Sequence, residues 1–396
     1  MDLSFAEALL VFGGLLVLVA SLSGLMRGTV LSASVLSVAV GVVMAATNLV
    51  SVNAGSEPVR DLITLALVLT LLSDGLFVER ELLAKHWGPV ARAIVIAMPL
   101  TLGLLALGAK GLFSELSWAE AFLLAAVLTP TDPVVTSAVV TSRRVPSKIR
   151  HTLNLESGLN DGLALPFVLF FLALAGPSGH AGHEAVKVLG EAAFGGALGV
   201  ALGFAAGQLH HRLPAGGLAP RYEGIYAVGF GLAAYGLAEV TFGNGLIAAF
   251  VCGIALGASA HEVPDAFVEF AENVSTIAQV LTFFVFGALI VGIGYHASIP
   301  ALVVFIAFAL LVARPAAILL SFLRERLPMA QKLFIAWFGP KGVASMLFAL
   351  YVLDSGVAER SLIFPIAAFA ILASITAHGL TDTVGARWVE RRMEER

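Results

Sequence analysis

Residues 121–140 read AFLLAAVLTPTDPVVTSAVV, an apolar run with one acidic residue, Asp132, near its centre. The run is long enough to cross a bilayer, which takes about 20 residues of helix. Pro130 and Pro133 flank the acid, and each removes a backbone donor, so we expect the helix to break there and leave carbonyl groups free. A carboxylate at this depth is costly and indicates a functional position. A broken helix with a buried acid predicts an ion site inside the membrane.

The composition predicts an all-α polytopic membrane protein. Of the 396 residues, 59% are hydrophobic and 13% are charged, and the mean hydropathy is +0.94, which is outside the range of soluble domains. The single cysteine, Cys252, excludes an internal disulfide and a cysteine-based metal site. We therefore expect a lipid bilayer around the protein, no nucleic-acid partner and no cofactor.

The apolar stretches predict about thirteen transmembrane spans in a single domain that covers residues 1–396. They are expected near 5–24, 29–50, 60–79, 89–109, 118–141, 151–175, 185–208, 222–241, 243–260, 271–294, 298–322, 329–353 and 361–386. Transporters are often built from two inverted repeats. Thirteen spans divide into repeats at about 5–175 and 222–386, joined by a linker helix at about 185–208.

The fifth span of each predicted repeat carries a helix-breaking motif. In the first repeat it contains Thr131-Asp132-Pro133, and in the second it contains Pro340-Lys341 between two glycines. Because the repeats have opposite orientations, the two broken helices are expected to run antiparallel and to cross. Helix amino ends need anions and carboxyl ends need cations, so Asp132 and Lys341 are predicted to be the counter-charges.

The distribution of basic residues predicts the orientation. Alternate connections hold most of the 23 Lys and Arg residues, whereas the opposite connections hold only Arg60, Lys110, Lys187 and Arg360. Cytoplasmic loops are the basic ones. We therefore expect the amino terminus outside and the carboxyl terminus in the cytoplasm.

Residues 156–162 of the sixth span read ESGLNDG and present two polar edges. At about 100° per residue, Ser157 stacks beneath Asp161, and Glu156 stacks beneath Asn160. The first edge offers a carboxylate and a hydroxyl, which are hard oxygen ligands of the kind that alkali cations accept. The second edge carries an acid that needs an intramembrane cation as its partner.

Six charged side chains are expected to be internal to the membrane. The acids among them are Asp74, Asp132, Glu156 and Asp161, and the bases are Arg314 and Lys341. Glu156 is expected to form a structural ion pair with one of the two bases, and the choice between them stays open. Some carboxylates must then be neutral or bound to a cation, and Asp161 and Asp132 are the candidates; Asp74 is a candidate for the ion path. No role is assigned to His378, which is interpreted as a histidine on a polar turn.

Four motifs in this order resemble those of the NhaP-type sodium/proton antiporters, the electroneutral branch of the cation/proton antiporters that includes the eukaryotic sodium/hydrogen exchangers. They are ThrAspPro at 131–133, GluSerGlyLeuAsnAsp at 156–161, AlaArgPro at 313–315 and GlyProLysGly at 339–342. Family members usually have Arg where this chain has Lys341. The resemblance covers essentially the whole chain and implies a homodimer in which a core domain moves against a dimerisation domain.

The resemblance also implies roles for individual residues. Asp161 would bind Na⁺ and H⁺ in turn, Asp132 and Thr131 would be its partners across the helix break, and Asn160 would stabilise that pair. Together with the Ser157 hydroxyl of the first polar edge, Asp161 and Thr131 are then the expected Na⁺ ligands. Asp74 would match an acid that lines the cation path.

The expected function is secondary active transport, and not an enzymatic reaction. A monovalent cation, Na⁺ before Li⁺ or K⁺, would exchange for H⁺ by alternating access in a bacterial or archaeal cytoplasmic membrane. A desolvated carboxyl group makes proton and cation compete for the same oxygens, and one acid per site favours one-for-one exchange. The alternatives are a sodium-coupled solute symporter, a cation channel and an intramembrane aspartyl protease, whose motifs would require Tyr and Gly where Thr131 and Asn160 precede the acids.

Overall fold

The computed structural model describes residues 5–26, 33–53, 56–82, 87–132, 145–176, 181–212, 220–259, 265–293 and 298–394. All regular secondary structure in these ranges is helical, in agreement with the predicted fold class. The fourteen helices found there are α1 (Phe5–Met26), α2 (Ala33–Ala46), α3 (Glu57–Leu82), α4 (Trp87–Leu112), α5 (Trp118–Val127), α6 (Ser147–Ala175), α7 (Ala181–Arg212), α8 (Pro220–Glu239), α9 (Gly245–Ser259), α10 (Asp265–Ile293), α11 (Ile299–Ser321), α12 (Met329–Trp337), α13 (Val343–Leu353) and α14 (Arg360–Glu394).

Each predicted span overlaps one helix, except that the span predicted at 329–353 is two helices, α12 and α13. The helix predicted at 118–141 ends at Val127, and its second half, from residue 133, lies outside the described residues. By length and composition, six of the described helices can cross a bilayer: α4, α6, α7, α10, α11 and α14. The prediction of a polytopic membrane protein is confirmed.

The helices pack in two groups. Helices α2, α3 and α7–α10 form one group, and α4–α6 and α11–α14 form the other; α3 and α7 contact α6 across the boundary. Glycines allow close approach in the first group, because a Cβ at Gly199 or Gly203 of α7 would overlap with the backbone of α9.

Helices α4 and α11 share a local irregularity. Each contains a π-helical segment, Ala93–Ala97 in α4 and Ala309–Ala313 in α11, and each segment is followed at once by a residue and a proline. Proline has no backbone N–H to donate to the preceding turn, and a π segment is one way to accommodate the loss. In α11 the residue between the π segment and Pro315 is Arg314, which is buried.

Helix α5 is fixed at its amino end by a capping box. Ser117 accepts a hydrogen bond from the Glu120 amide, and the Glu120 carboxylate accepts one from the Ser117 amide. The other Glu120 oxygen accepts the amide of Glu359 at 3.0 Å. This contact joins α5 to the turn that precedes α14.

Candidate functional site

The first helix break lies directly after α5. Thr131 is 2% exposed in the non-helical segment that follows, and its backbone groups are bound by side chains of α6. Its amide donates to Asn160 Oδ1 at 3.1 Å, its hydroxyl accepts from Asn160 Nδ2 at 2.7 Å, and its carbonyl accepts from the Ser157 hydroxyl. Asn160 and Ser157 therefore supply the partners that the interrupted helix lacks.

Asp161 follows directly on α6 and is 6% exposed. Among the described residues, nothing is hydrogen-bonded to its Oδ1 atom, nor to the buried Oδ2 atom of the partly buried Asp74 on α3. Both carboxyl groups interact electrostatically with each other and with Asp132. Three carboxyl groups thus lie within electrostatic range of one another, and such a group of acids favours the binding of a cation or a proton.

The second helix break lies between α12 and α13 and contacts the first. The Asp132 amide donates to the Pro340 carbonyl at 2.8 Å, and Asp132 Oδ2 accepts from the amide of Val343, the first residue of α13, at 3.2 Å. Lys341 Nζ donates to the Thr129 carbonyl beyond the end of α5 at 3.3 Å. Each charged side chain therefore lies at the helix end whose partial charge it complements.

Glycines make room for these charges. A Cβ on Gly342 would overlap with the Asp132 carboxyl group, and a Cβ on Gly339 would overlap with the guanidinium group of Arg314. The motif at 339–342 thus combines a proline that breaks the helix with two residues that have no side chain to obstruct the site.

The structure pairs Glu156 with Arg314. The guanidinium group of Arg314 donates in parallel to both carboxylate oxygens, with Nη1–Oε1 at 2.7 Å and Nη2–Oε2 at 2.8 Å. The side chains of Arg314 and Glu156 are 8% and 5% exposed. Lys341, the other base considered from the sequence, is bound instead to the first break. In the described residues, Arg314 therefore forms the structural ion pair, and Lys341 contacts the first break.

The roles of two buried residues at the site, His378 and Ser374, are not predicted from the sequence. His378 was interpreted as a turn residue, and this is wrong, because it lies within α14 and is 2% exposed. It contacts Ser374 of the same helix and the carbonyl of Trp337 at the end of α12. The available signal was the spacing of Ser374, His378 and Thr381, which places three polar groups on one face of an apolar helix.

Within the described ranges, no group of three or more His, Cys, Asp or Glu side chains is arranged to hold a metal ion. The oxygens at the contact between the first break and α6 are of mixed type, since Ser157 and Thr131 contribute hydroxyl oxygens and Thr131 also contributes a carbonyl oxygen. Such oxygens are the ligands of hard cations.

The chain is similar to known proteins in both sequence and fold. A family profile described as "Sodium/hydrogen exchanger, transmembrane" matches residues 14–385. The K(+)/H(+) antiporter NhaP of Alkalimonas amylolytica is 26% identical over 331 residues, which are 83% of this chain and 57% of that protein. A probable Na(+)/H(+) antiporter of Schizosaccharomyces pombe is 29% identical over 362 residues, which are 81% of this chain and 47% of that protein. The chain thus spans about half the length of these relatives.

The fold is similar to that of the sodium proton antiporter MjNhaP1 from Methanocaldococcus jannaschii. One structure of that protein superposes with a TM-score of 0.78 and 19% identity, covering 97% of this chain and 98% of the other. A second structure, at pH 8, gives a TM-score of 0.76 over 96% of both chains. The resemblance of the four motifs is confirmed, and the match in fold extends over nearly the whole chain.

Proposed function

Because the chain belongs to the sodium/hydrogen exchanger family, we propose that it exchanges a monovalent cation for H⁺ across a membrane by alternating access. The observation that carries the proposal is the buried Asp161, whose Oδ1 atom has no hydrogen-bond partner among the described residues and which interacts with three further acids, Asp74, Asp132 and Glu156, and with the base Lys341. A carboxyl group in these surroundings is stabilised by a proton or by a cation, and one occupant excludes the other.

In this proposal the cation lies among the oxygens of Asp161, Ser157 and Thr131. The hydrogen bond from Ser157 to the Thr131 carbonyl supports it, because it holds α6 and the first break together. Asn160 stabilises the break through two hydrogen bonds to Thr131. Asp74, on the neighbouring helix group, lines the path by which the cation arrives.

The exchange requires that the core reorient only when Asp161 is occupied. Asp132 and Lys341 neutralise the ends of the crossed helices permanently, so that one carboxyl group changes its occupant in a cycle. We therefore propose a stoichiometry of one cation for one proton, with no net charge moved. Na⁺ is the first candidate for the cation; the names of the relatives include both K⁺ and Na⁺ antiporters.

We further propose the assembly and orientation in the membrane. The protein is a homodimer in a bacterial or archaeal cytoplasmic membrane, with the amino terminus outside and the carboxyl terminus in the cytoplasm. The repeats run from about 5–175 and 222–386, on either side of a linker helix at about 185–208. The similar π segments and prolines of α4 and α11, the fourth spans of the two repeats, support this division.

Proton flux in proteoliposomes tests the proposal. An outward gradient of Na⁺, Li⁺ or K⁺ should acidify the lumen, because protons enter as the cation leaves, and an inward gradient should alkalinise it. A potential-sensitive dye should report no change of membrane potential. Asp161→Asn should abolish flux with every cation, whereas Asp354→Asn, which removes a surface carboxylate, should leave it intact. Near-normal flux in Asp161→Asn would exclude this carboxyl group as the carrier.

The same assay distinguishes antiport from sodium-coupled symport of a solute. A symporter on this fold would move Na⁺ only with a second solute, and without that solute a Na⁺ gradient would drive no proton movement. Proton counterflow driven by the cation alone is the result that we expect.

A further inference from the structure

The second helix break lacks one identifiable main-chain hydrogen bond. In a continuous α-helix the amide of Lys341 would donate to the carbonyl of Trp337, four residues earlier. Helix α12 ends at Trp337 and α13 begins at Val343, so this bond is absent. Lys341 is 4% exposed, and a buried amide without a partner is costly.

Two side chains of α14 reconnect the same amide and carbonyl. The Lys341 amide donates to Ser374 Oγ at 2.9 Å, and Ser374 Oγ lies 3.3 Å from His378 Nδ1. His378 Nε2 lies 2.8 Å from the Trp337 carbonyl oxygen. A carbonyl can only accept, so the contact with Trp337 is a hydrogen bond in the tautomer that carries its proton on Nε2, and in that tautomer Nδ1 can accept from the Ser374 hydroxyl.

His378 also contacts the backbone of its own helix. Its Nδ1 atom lies 2.7 Å from the Ser374 carbonyl oxygen, to which a ring with a proton on Nδ1 would donate. Both ring nitrogens therefore lie within hydrogen-bond distance of groups of the chain, and the ring bridges Ser374 and Trp337.

Packing holds the imidazole ring in this position. It stacks on the Trp337 ring at a centroid distance of 5.0 Å with 27° between the planes, and Phe338 lies at its edge. The Trp337 indole donates to the Thr381 hydroxyl at 2.9 Å. His378 and Ser374 are 2% and 0% exposed, so water does not replace these contacts.

We infer that His378 is a positioning residue for cation exchange: with Ser374 it takes the place of the missing main-chain hydrogen bond and holds the second break open, with Lys341 directed at the end of α5. The inference rests on the proposed exchange, because its consequence is the rate at which the crossed helices reorient. His378 does not contact Asp161, Ser157 or Thr131 through any hydrogen bond in the described residues, so it acts through Lys341.

The test measures cation KM and Vmax in proteoliposomes, with Vmax expressed per transporter that elutes as folded protein. His378→Phe keeps the ring volume and removes both hydrogen bonds. The Trp337 carbonyl would keep the bond that it accepts from the Gly339 amide at 2.9 Å. We therefore expect Vmax to fall by up to about tenfold, the size of effect that loss of one buried hydrogen bond produces, with KM changed by less than about twofold. His378→Gln retains an N–H for the Trp337 carbonyl and should recover much of the rate.

Ser374→Ala and the double variant test whether the two residues act as one chain. Ser374→Ala should lower Vmax, and Ser374→Ala with His378→Phe should lower it no further than His378→Phe alone. The matched control is Thr376→Val, which removes an exposed hydroxyl from the same stretch of α14 and should leave Vmax unchanged.

Three results would overturn the inference. They are a wild-type Vmax in His378→Phe, equal losses in His378→Gln and His378→Phe, and losses in the double variant that multiply. If His378→Phe does not fold, the comparison of Ser374→Ala with Thr376→Val decides. Absence of exchange in the wild-type protein would refute the proposed function instead. The unfolding temperatures of the wild type, the two single variants and the double variant would then decide whether Ser374 and His378 are coupled.

Discussion

Replacement of Glu156 by Gln should destabilise the protein more than any substitution of a surface charge. Glu156 forms a buried pair with Arg314, whose Nη1 and Nη2 atoms donate to the two carboxylate oxygens at 2.7 and 2.8 Å. Glutamine has nearly the same shape but no charge, so the guanidinium group stays buried without a counter-ion. Removal of one partner from a buried pair costs about 3–5 kcal/mol, because the remaining charge is uncompensated.

The structure offers a matched control at the surface. Arg60 and Asp354 approach to 2.7 Å, as closely as the buried pair, but their side chains are 51% and 23% exposed. Exposed pairs contribute about 0–1 kcal/mol, since water solvates each charge once the other is removed. Asp354→Asn should therefore change stability little, although the two ion pairs have similar distances.

The assay is thermal unfolding of purified protein in detergent. The measured quantity is the fraction of protein that remains monodisperse at each temperature. Glu156→Gln should unfold at a clearly lower temperature than Asp354→Asn. The double substitution Glu156→Gln with Arg314→Met, which removes both charges, should recover part of the loss, since it leaves no unpaired ion. If Glu156→Gln were as stable as Asp354→Asn, the buried pair would not carry the charge balance assigned to it.

Three further outcomes are expected. Gly342→Ala should lower both exchange and thermal stability, because its methyl group overlaps with the Asp132 carboxyl group, whereas Gly103→Ala, which has no atom within 4 Å, should be neutral in both measurements. Ser117→Ala should cost about 1 kcal/mol through loss of the α5 cap, read as a lower unfolding temperature, and an unchanged temperature would contradict the capping argument. If proton and cation compete for Asp161, the KM for Na⁺ should rise as the pH falls while Vmax stays constant; a KM independent of pH would show separate sites.

Much of the fold follows from the sequence because its determinants are local. Apolar length predicts the spans, and prolines beside polar residues predict both breaks at their observed positions, including the placement of Asp132 and Lys341 at opposite helix ends. The partner of Glu156 could not be chosen between Arg314 and Lys341. That choice depends on which base lies against α6 in the folded chain, where Arg314 contacts Glu156 and Lys341 contacts Thr129.

The support given by α14 is hidden from sequence reasoning for a related reason. Ser374 and His378 lie more than thirty residues from the groups that they bind, and only the folded chain brings them to the break. A polar face on an apolar helix indicates that some buried groups need partners, but it does not indicate which. The break itself gives the complementary information, since a backbone amide that loses its helical acceptor, such as that of Lys341, can be identified once the helix ends are known.

The two breaks are stabilised in the same way: a helix later in the chain provides side chains that bind the backbone groups of each break. Helix α6 provides Asn160 and Ser157 to Thr131, and α14 provides Ser374 and His378 to the second break. The breaks differ in their charged groups. The second carries a basic residue, Lys341, whereas the residue after Asn160 on α6 is the acid Asp161. Under the proposed exchange Asp161 holds a cation or a proton in turn, so the occupant changes at the first break.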